Sequence, residues 1–261
     1  DSVLGQRYGA VEAVVVNDGS TDGSDEVVDR RAADDPRVRV VHQPNAGLSA
    51  ARNAGMAAAS GRYIGFLDAD DWLLDTKLRL QVDALQAAPG VDLVYSDFLR
   101  VRDSDGAVFG EPRGKPPRPI SEVLAYRNWF APMVPLLRRS LIDRVGGFDA
   151  TFRAAEDWDY WYRCAQHGTF AYVAGVVAMY RMHGGQMHRN RTLMTDARTQ
   201  FAHKHFATDR AGMRQCMSYS HLDDARYHKM RGAWLACGVD LVRYLAAAGS
   251  VAEARFVWRL P

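Results

Sequence analysis

This chain has few cysteines, no long apolar run and almost no net charge, and each shortage closes off a class of function. Its three cysteines (Cys164, Cys216, Cys237) are scattered and lack metal-ligand spacing. They read as reduced thiols of a cytosolic-type compartment, not as a disulfide frame or a zinc site. No apolar stretch approaches the roughly 20 residues that a membrane span needs, and no signal-peptide pattern is present. Against 33 basic side chains stand 31 acidic ones, a net charge of +2, so no general affinity for polyanions follows and nucleic acid is not an expected partner. No Gly-x-Gly-x-x-Gly follows a strand-like run, which removes the dinucleotide-dehydrogenase pattern. The bulk of the chain is ordinary: 261 residues, 48% hydrophobic and 25% charged, suit one large domain or one domain with an appendage. Its opening, Asp1 to Tyr8, resembles the end of a helix without a leading Met, so a strand and most of a helix are expected upstream of Asp1.

The most informative stretch runs Tyr63-Ile64-Gly65-Phe66-Leu67-Asp68-Ala69-Asp70-Asp71, an apolar strand leading into three carboxylates. In an extended segment Asp68 and Asp70 face one way and Asp71 the other. Gathering such charges is costly unless a positive partner sits among them. Mg²⁺ and similar hard ions are held by one or two carboxylates together with substrate phosphates. The pattern therefore suits a metal-bound nucleotide diphosphate. The bland alternative is that these acids cap a helix beginning at Trp72 to Asp75.

Around this stretch, strands and helices alternate. Val11 to Val16 reads as a buried strand, followed by a polar turn and a helix from Ser24 to about Ala33. Val38 to Val41 is a second strand, and Leu48 to Ser60 an Ala-rich helix stopped by Gly61. A helix from about Asp75 to Ala88 and a strand from Val91 to Tyr95 complete the α/β pattern. Phe98 to Phe109 reads as a hairpin around Asp103 to Gly106, and the proline-rich stretch Gly110 to Pro119 as a loop. A short strand is expected over Val134 to Leu137 and a helix over Ser140 to Val145; an amphipathic helix spans Glu156 to His167. Strands near Phe170–Val173 and Val176–Met182 follow, and helices from about Thr192. In such sheets ligands bind beyond the carboxyl ends of strands, where Asp18, Asn45 to Gly47 and Asp68 to Asp71 all fall.

Four blocks in order carry a family resemblance: Val14 to Ser24 with Asn17-Asp18-Gly19-Ser20, Asn45 to Asn53, Phe66 to Asp71, and Gly146-Gly147-Phe148-Asp149 followed by Glu156-Asp157-Trp158-Asp159. Together they resemble the inverting family 2 glycosyltransferases of bacterial type with a GT-A fold, over roughly Asp1 to Met187. The resemblance implies a mixed, mainly parallel sheet flanked by helices. It divides the chain into a GT-A catalytic domain, 1–190, and a helical C-terminal extension, 191–261. It also implies a first strand upstream that helps hold the nucleotide base.

Residue roles follow from the same resemblance. Asp18 accepts a hydrogen bond from the base, although it would equally shape the Asp-Gly turn. Asn45 and Gly47 open a helix whose free N–H groups suit phosphate or ribose oxygens; capping explains them too. Arg52 is put near the nucleotide. Asp68 is a ribose or outer contact, and Asp70 or Asp71 the direct ligand of Mn²⁺ or Mg²⁺, joined by His183. Coordination of the diphosphate would stabilise the departing nucleoside diphosphate. Asp157, in the first turn of its helix where the dipole favours an anion, is the catalytic base, with Glu156 orienting the acceptor or capping the helix. Of the neighbouring aromatics, Trp161 and Tyr162 are assigned to the core and Trp158 is placed within reach of an acceptor sugar.

The expected function is transfer of a sugar, UDP-linked for preference, from a nucleotide-sugar donor to a glycan or lipid-linked hydroxyl acceptor in glycan or polysaccharide assembly. The Gln-x-x-Arg-Trp signature of processive synthases is absent, which favours single-residue transfer. The C-terminal helices suit acceptor contact, homodimerisation or a peripheral position at the inner face of the membrane. Two other accounts stay open. A sugar nucleotidyltransferase shares the sheet and the metal carboxylates but carries a Gly-rich loop with Lys that is not visible here. A non-catalytic nucleotide-sugar binding module would bind donor without turnover.

Overall fold

The computed structural model describes residues 1–230 and 232–248. The expected helical extension therefore lies in part, over 249–261, outside the described residues. The chain forms two compact units. The first comprises Asp1–Lys115 and Phe130–Gln186; the second comprises Pro116–Trp129 and the residues from Met187 on.

The first unit begins with β1 (Ala13–Asp18), α1 (Ser24–Asp34), β2 (Val38–Gln43) and α2 (Leu48–Ala58). β-branched valines favour the two strands, which pair in parallel from Ala13↔Val38 to Asp18↔Gln43. Asp25 and Glu26 in the first turn of α1 and Arg31 in its last complement the helix dipole. In α2 the buried side chains are Ser49, Arg52 and Met56, a stripe at helical spacing in which a charged residue occupies a core position.

The apolar run of the acidic stretch is mostly not a strand. Only Tyr63–Ile64 pair, as β3. Ala69 and Asp70 form a turn, closed by the Asp71 N–H donating to the Asp68 carbonyl at 3.1 Å. The strict alternation expected for the three acids is lost, because a turn resets the direction of each side chain. Nor does a helix start at Trp72. Trp72–Leu73 form β4, antiparallel to the last strand of the unit at Trp72↔Met179 and Leu73↔Ala178.

The remainder of this unit is α3 (Lys77–Ala87), β5 (Leu93–Arg102), β6 (Val108–Phe109), β7 (Leu136–Arg138), α5 (Arg139–Val145), α6 (Glu156–His167) and β8 (Phe170–Met182); α4 (Ile120–Leu124) belongs to the second unit. The larger sheet has the order β3-β7-β5-β8-β4, with β6 paired to β5. It is mixed, as the resemblance implies, but parallel pairing is confined to β1–β2 and β5–β8. The other pairs are antiparallel; only β5–β6 is a hairpin, closed by the Asp103–Gly106 turn, while β3–β7, β5–β7 and β4–β8 join segments distant in sequence. The two strands expected over 170–182 are one, with a register shift opposite 95–98 where Gly175 adopts φ 138°. Leu85, Leu93, Leu137, Leu141 and Trp161 are fully buried in the core. Lys77 is buried as well. Its Nζ donates to Gln81 Oε1 and to the carbonyls of Val134 (3.1 Å) and Pro135 (3.4 Å), and burial pulls its pKa down to about 7.

The second unit is helical: α4, α7 (Arg191–Phe206), α8 (Arg210–Met230) and α9 (Trp234–Ala248). No described helix is long and apolar enough to cross a membrane.

Candidate active site

Asp18 ends β1 and takes three hydrogen bonds. Oδ1 accepts from Gln43 Nε2 (2.7 Å) and from the Ala46 N–H (2.9 Å), and Oδ2 accepts from the Gly47 N–H (2.9 Å). Burial pushes its pKa up, but the donors of Ala46, Gln43 and Gly47 outweigh it and leave Asp18 below the ordinary carboxylate value. Gly47 sits at φ 87°, a conformation that glycine adopts without strain, and this turns its N–H toward Asp18. Asn45 is exposed beside it. A carboxylate with three of about four acceptor positions filled is rigid and ionised, with room for one more donor.

The acidic turn is tied down from β8. The Arg181 N–H donates to Asp71 Oδ1 (2.8 Å), its Nε to the Asp70 carbonyl (2.8 Å), and its Nη1 to Asp103 Oδ1 (3.0 Å), while its guanidinium lies 5.2 Å from the Trp72 ring centroid. Asp71 is buried, and among the described residues its Oδ2 has no hydrogen-bond partner. Burial is the main reason its pKa rises to about 7; Asp70 and Asp68 push the same way, and the Arg181 N–H opposes them. Asp70 points differently. Its Oδ2 lies 2.9 Å from His183 Nε2, and both side chains are partly exposed, at 40% and 33%. The Gly185 N–H donates to the other ring nitrogen, Nδ1, at 3.2 Å, which leaves Nε2 as the ring nitrogen that faces Asp70.

Arg52 joins this turn to α6. Its Nη2 donates to Asp68 Oδ1 (2.8 Å) and its Nη1 to Glu156 Oε1 (2.5 Å), with the Arg52 and Glu156 side chains each 6% exposed. Burial works against the guanidinium's charge, but Asp68, Glu156 and Asp157 outweigh it and push its pKa above the ordinary value. Asp157 is half-buried, one residue further into the first turn of α6. Ala155, the residue before that helix, is held at φ 56°, the one described non-glycine residue in the left-handed region. Such backbone strain persists only where packing enforces it, and Phe152, Ala154, Glu156 and Trp158 around it are all buried.

Two motif blocks distant in sequence prove to be one piece of structure. Asn53 on α2 pairs with the backbone of Phe148: its Nδ2 donates to the carbonyl (2.9 Å) and its Oδ1 accepts the N–H (2.7 Å). Gly147 makes this approach feasible, since a Cβ there would lie 2.6 Å from Asn53 Oδ1. Phe148 stacks on Tyr160 at 4.0 Å and meets Phe66 edge-on at 5.2 Å. That ring cluster anchors the start of the acidic stretch to α6.

The acidic turn, Arg52, Glu156, Asp157 and His183 thus surround one region of the first unit. Tyr180 lies within it: burial first, and then Asp71, Asp70, Asp68 and Asp157 in turn, drive its phenol pKa up. Several placements differ from expectation. Arg52 is held between two carboxylates and buried, because α2 presents it on the core face. Asp71 does not join Asp70 and His183 as a third ligand, since the 69–70 turn directs it to the Arg181 N–H; among the described residues no three His, Cys, Asp or Glu side chains converge on a metal position. Trp158, expected near an acceptor, is buried with Tyr160 and Trp161. The Asp70–His183 pair fits a divalent cation, because hard ions are often held by one or two protein donors with phosphate oxygens completing the shell. Arg181 and Tyr180 were missed by sequence reasoning; their one signal was position, flanking the conspicuous His183 on β8.

Comparison with known proteins supplies the family. The sequence model described as Glycosyl transferase family 2 matches residues 1–155. The uncharacterized glycosyltransferase EpsJ of Bacillus subtilis (strain 168) is 37% identical over 169 residues, covering 60% of this chain and 48% of EpsJ. The chain thus spans about half of that relative's length. Among solved structures, S. aureus TarS 1–349 in complex with UDP-GlcNAc superposes with a TM-score of 0.67 at 17% identity, over 94% of this chain and 75% of that one. The mannosyltransferase PcManGT from Pyrobaculum calidifontis, in complex with GDP-Man and Mn2+, gives a TM-score of 0.63 at 23% identity, over 98% and 72%. The fold is GT-A, and the chain belongs to glycosyl transferase family 2.

Proposed function

We propose that this family 2 chain transfers a sugar, with inversion, from a nucleoside-diphosphate donor to a hydroxyl of a glycan or lipid-linked acceptor, with Asp157 as the base. The observation that carries the reading is the Arg52 bridge. One buried guanidinium holds both the donor-side acid Asp68 and the first turn of α6, so the acidic turn and Asp157 belong to a single site. Asp157 takes the proton of the acceptor hydroxyl as that oxygen attacks the anomeric carbon, opposite the leaving diphosphate. Its place at the start of α6 favours the anionic form that accepts a proton. Asp18, rigid and ionised, accepts an N–H of the nucleotide base, for which the uracil imide is the preferred partner; the Gly47 N–H is held by Asp18, so Asn45 and the N–H groups of α2 after Gly47 are the ones that face phosphate or ribose oxygens. Asp70 and His183 are the residues that would hold Mn²⁺ or Mg²⁺. When bound, that ion supplies Lewis-acid stabilisation of negative charge on the departing diphosphate. Asp71 and Arg52 act in support: one fixes the acidic turn to β8, the other sets the distance between donor acids and base.

The deciding experiment screens UDP- and GDP-sugars for nucleoside-diphosphate release, in wild type and in Asp157→Asn. Transfer is expected to fall by about 10³-fold or more in the variant, while calorimetric donor affinity with Mn²⁺ changes by less than about threefold. Unchanged turnover in Asp157→Asn sinks the base assignment, and pyrophosphate release from a nucleoside triphosphate would instead indicate a nucleotidyltransferase.

A further inference from the structure

The β5–β6–β8 ladder carries a row of side chains that the transfer chemistry above does not use. Phe98, Arg100 and Arg102 alternate along β5 and so share one face of the sheet. Arg100 is in register with Phe109 on β6 and with Tyr180 on β8, which brings both rings to that same face. The opposite face is turned inward, where Val101 is buried. On the outer face the Arg100 guanidinium lies 5.6 Å from the Phe98 ring centroid, and that of Arg102 lies 5.7 Å from Phe109. Phe98 and Tyr180 meet edge-on at 6.1 Å. Phe109 is 36% exposed, and the other members are exposed or half-buried. The row therefore runs from the open edge of the sheet to Tyr180, which sits among the site carboxylates.

The two arginines are not equivalent. Arg102 is paired with Asp105 at 2.6 Å. Arg100, half-buried on the strand, makes no ion pair among the described residues, and its partner is the face of Phe98. A half-buried guanidinium without a carboxylate presents its donor fork to an incoming anion. Aromatic faces nearby offer the apolar surface that the C–H face of a sugar ring covers. The sign of the charge matters at this point. With Asp68, Asp70, Asp71 and Asp157 close by, an anionic acceptor would be repelled from the site unless a cation offset that field, and Arg100 is placed to do so.

We propose that this face is the acceptor platform and that it selects a saccharide bearing an anionic group, a carboxylate or a phosphate, paired by Arg100 while the sugar ring lies against Phe98 and Phe109. The inference rests on the transferase reading, and its test separates the two. With the full chain, Mn²⁺ and UDP present, calorimetry or ligand-observed NMR compares three probes: p-nitrophenyl β-glucuronide, the 6-phosphate of p-nitrophenyl β-glucoside, and neutral p-nitrophenyl β-glucoside. At least one charged probe is expected to bind about fivefold or more tightly than the neutral one, with the gain shrinking at high salt. A gain for the glucuronide alone identifies a uronate, and a gain for the phosphate alone a phosphorylated sugar. Arg100→Met should erase the gain and Arg100→Lys should keep part of it, whereas Phe109→Ala should weaken all three probes alike. Equal affinities in wild type, a gain that survives Arg100→Met, or no binding of any probe at millimolar concentration overturns the platform. If nucleotide sugar itself fails to bind, the transferase reading falls; if donor binds normally and only the charge preference is missing, the platform alone falls.

Discussion

Asp18 closes β1 and Asp71 immediately precedes β4, and in sequence the two look alike as acids at strand ends. Their surroundings are opposite. Asp18 takes three donors, two of them backbone N–H groups, at the open end of a parallel pair, and is held below the ordinary pKa. Asp71 is buried with one donor, leaves an oxygen unsatisfied and rises to about 7. One end of the site is thus a settled carboxylate suited to recognition. The other is a crowded cluster of acids in which cost is tolerated and arginines supply the order. Motif position gave the acids, but donor count and burial set what each can do.

Breaking the crowded end should have the largest effect. Arg52→Met leaves Asp68 and Glu156 without their shared cation, and removing one member of a buried ion pair costs about 3–5 kcal/mol. Melting is expected to fall by roughly 8–15 °C for a chain of this size. Transfer should drop by about 100-fold even below that temperature, because misplacing a reacting group by an ångström costs that much. Arg52→Lys should recover only one of the two contacts. A melting point within a degree of wild type would remove the bridge from the account.

Asp71 offers a test of intermediate size, with a defined sign. Its folded pKa lies above the unfolded value of 3.8, so it favours folding fully below about 4, and that contribution is lost as pH rises through about 7. Asp18 runs the other way, contributing above its unfolded pKa and losing that as pH falls. In metal-free buffer, Asp71→Asn keeps an acceptor for the Arg181 N–H while removing the charge. It should therefore stabilise by about 1–3 kcal/mol at pH 8 and by roughly a third of that at pH 5. Denaturant titrations at the two pH values check this; equal effects at both would show that Asp71 is not the titrating group.

The smallest test sharpens the contrast in backbone terms. Gly47 at φ 87° and Ala155 at φ 56° flank the two ends of the site, one without strain and one with it. Gly47→Ala should destabilise by about 1 kcal/mol and Ala155→Gly should stabilise by up to about 1 kcal/mol, provided the freed chain entropy does not cancel the relief. Thermal shifts of the same sign in both variants would contradict this.

How much was legible depended on the range of each interaction. Helices α2 and α6 were readable, because period, capping and glycine stops are local signals: α6 spans Glu156–His167 as expected. The GT-A fold was readable because four motif blocks stand in order. What misled was the assumption that Phe66 to Asp71 stays extended. The turn at 69–70 is set by pairing of Trp72–Leu73 with β8, more than 100 residues away. Arg52 offered no signal that it would be buried, since an arginine in an Ala-rich helix is ordinarily solvated. Asn53, Gly147 and Phe148 were read as separate motif letters, and their contact could not be inferred from spacing.

Composition, residue periodicity and the order of acids and glycines were enough for the family, the elements and the set of acids from which the site is drawn, because those follow from short-range chemistry along the chain. Which acid is ionised, which is buried and which faces an imidazole was decided only when β8 and α6 closed over the acidic turn. Those states depend on desolvation and on donors brought from distant segments, and neither exists until the chain is packed.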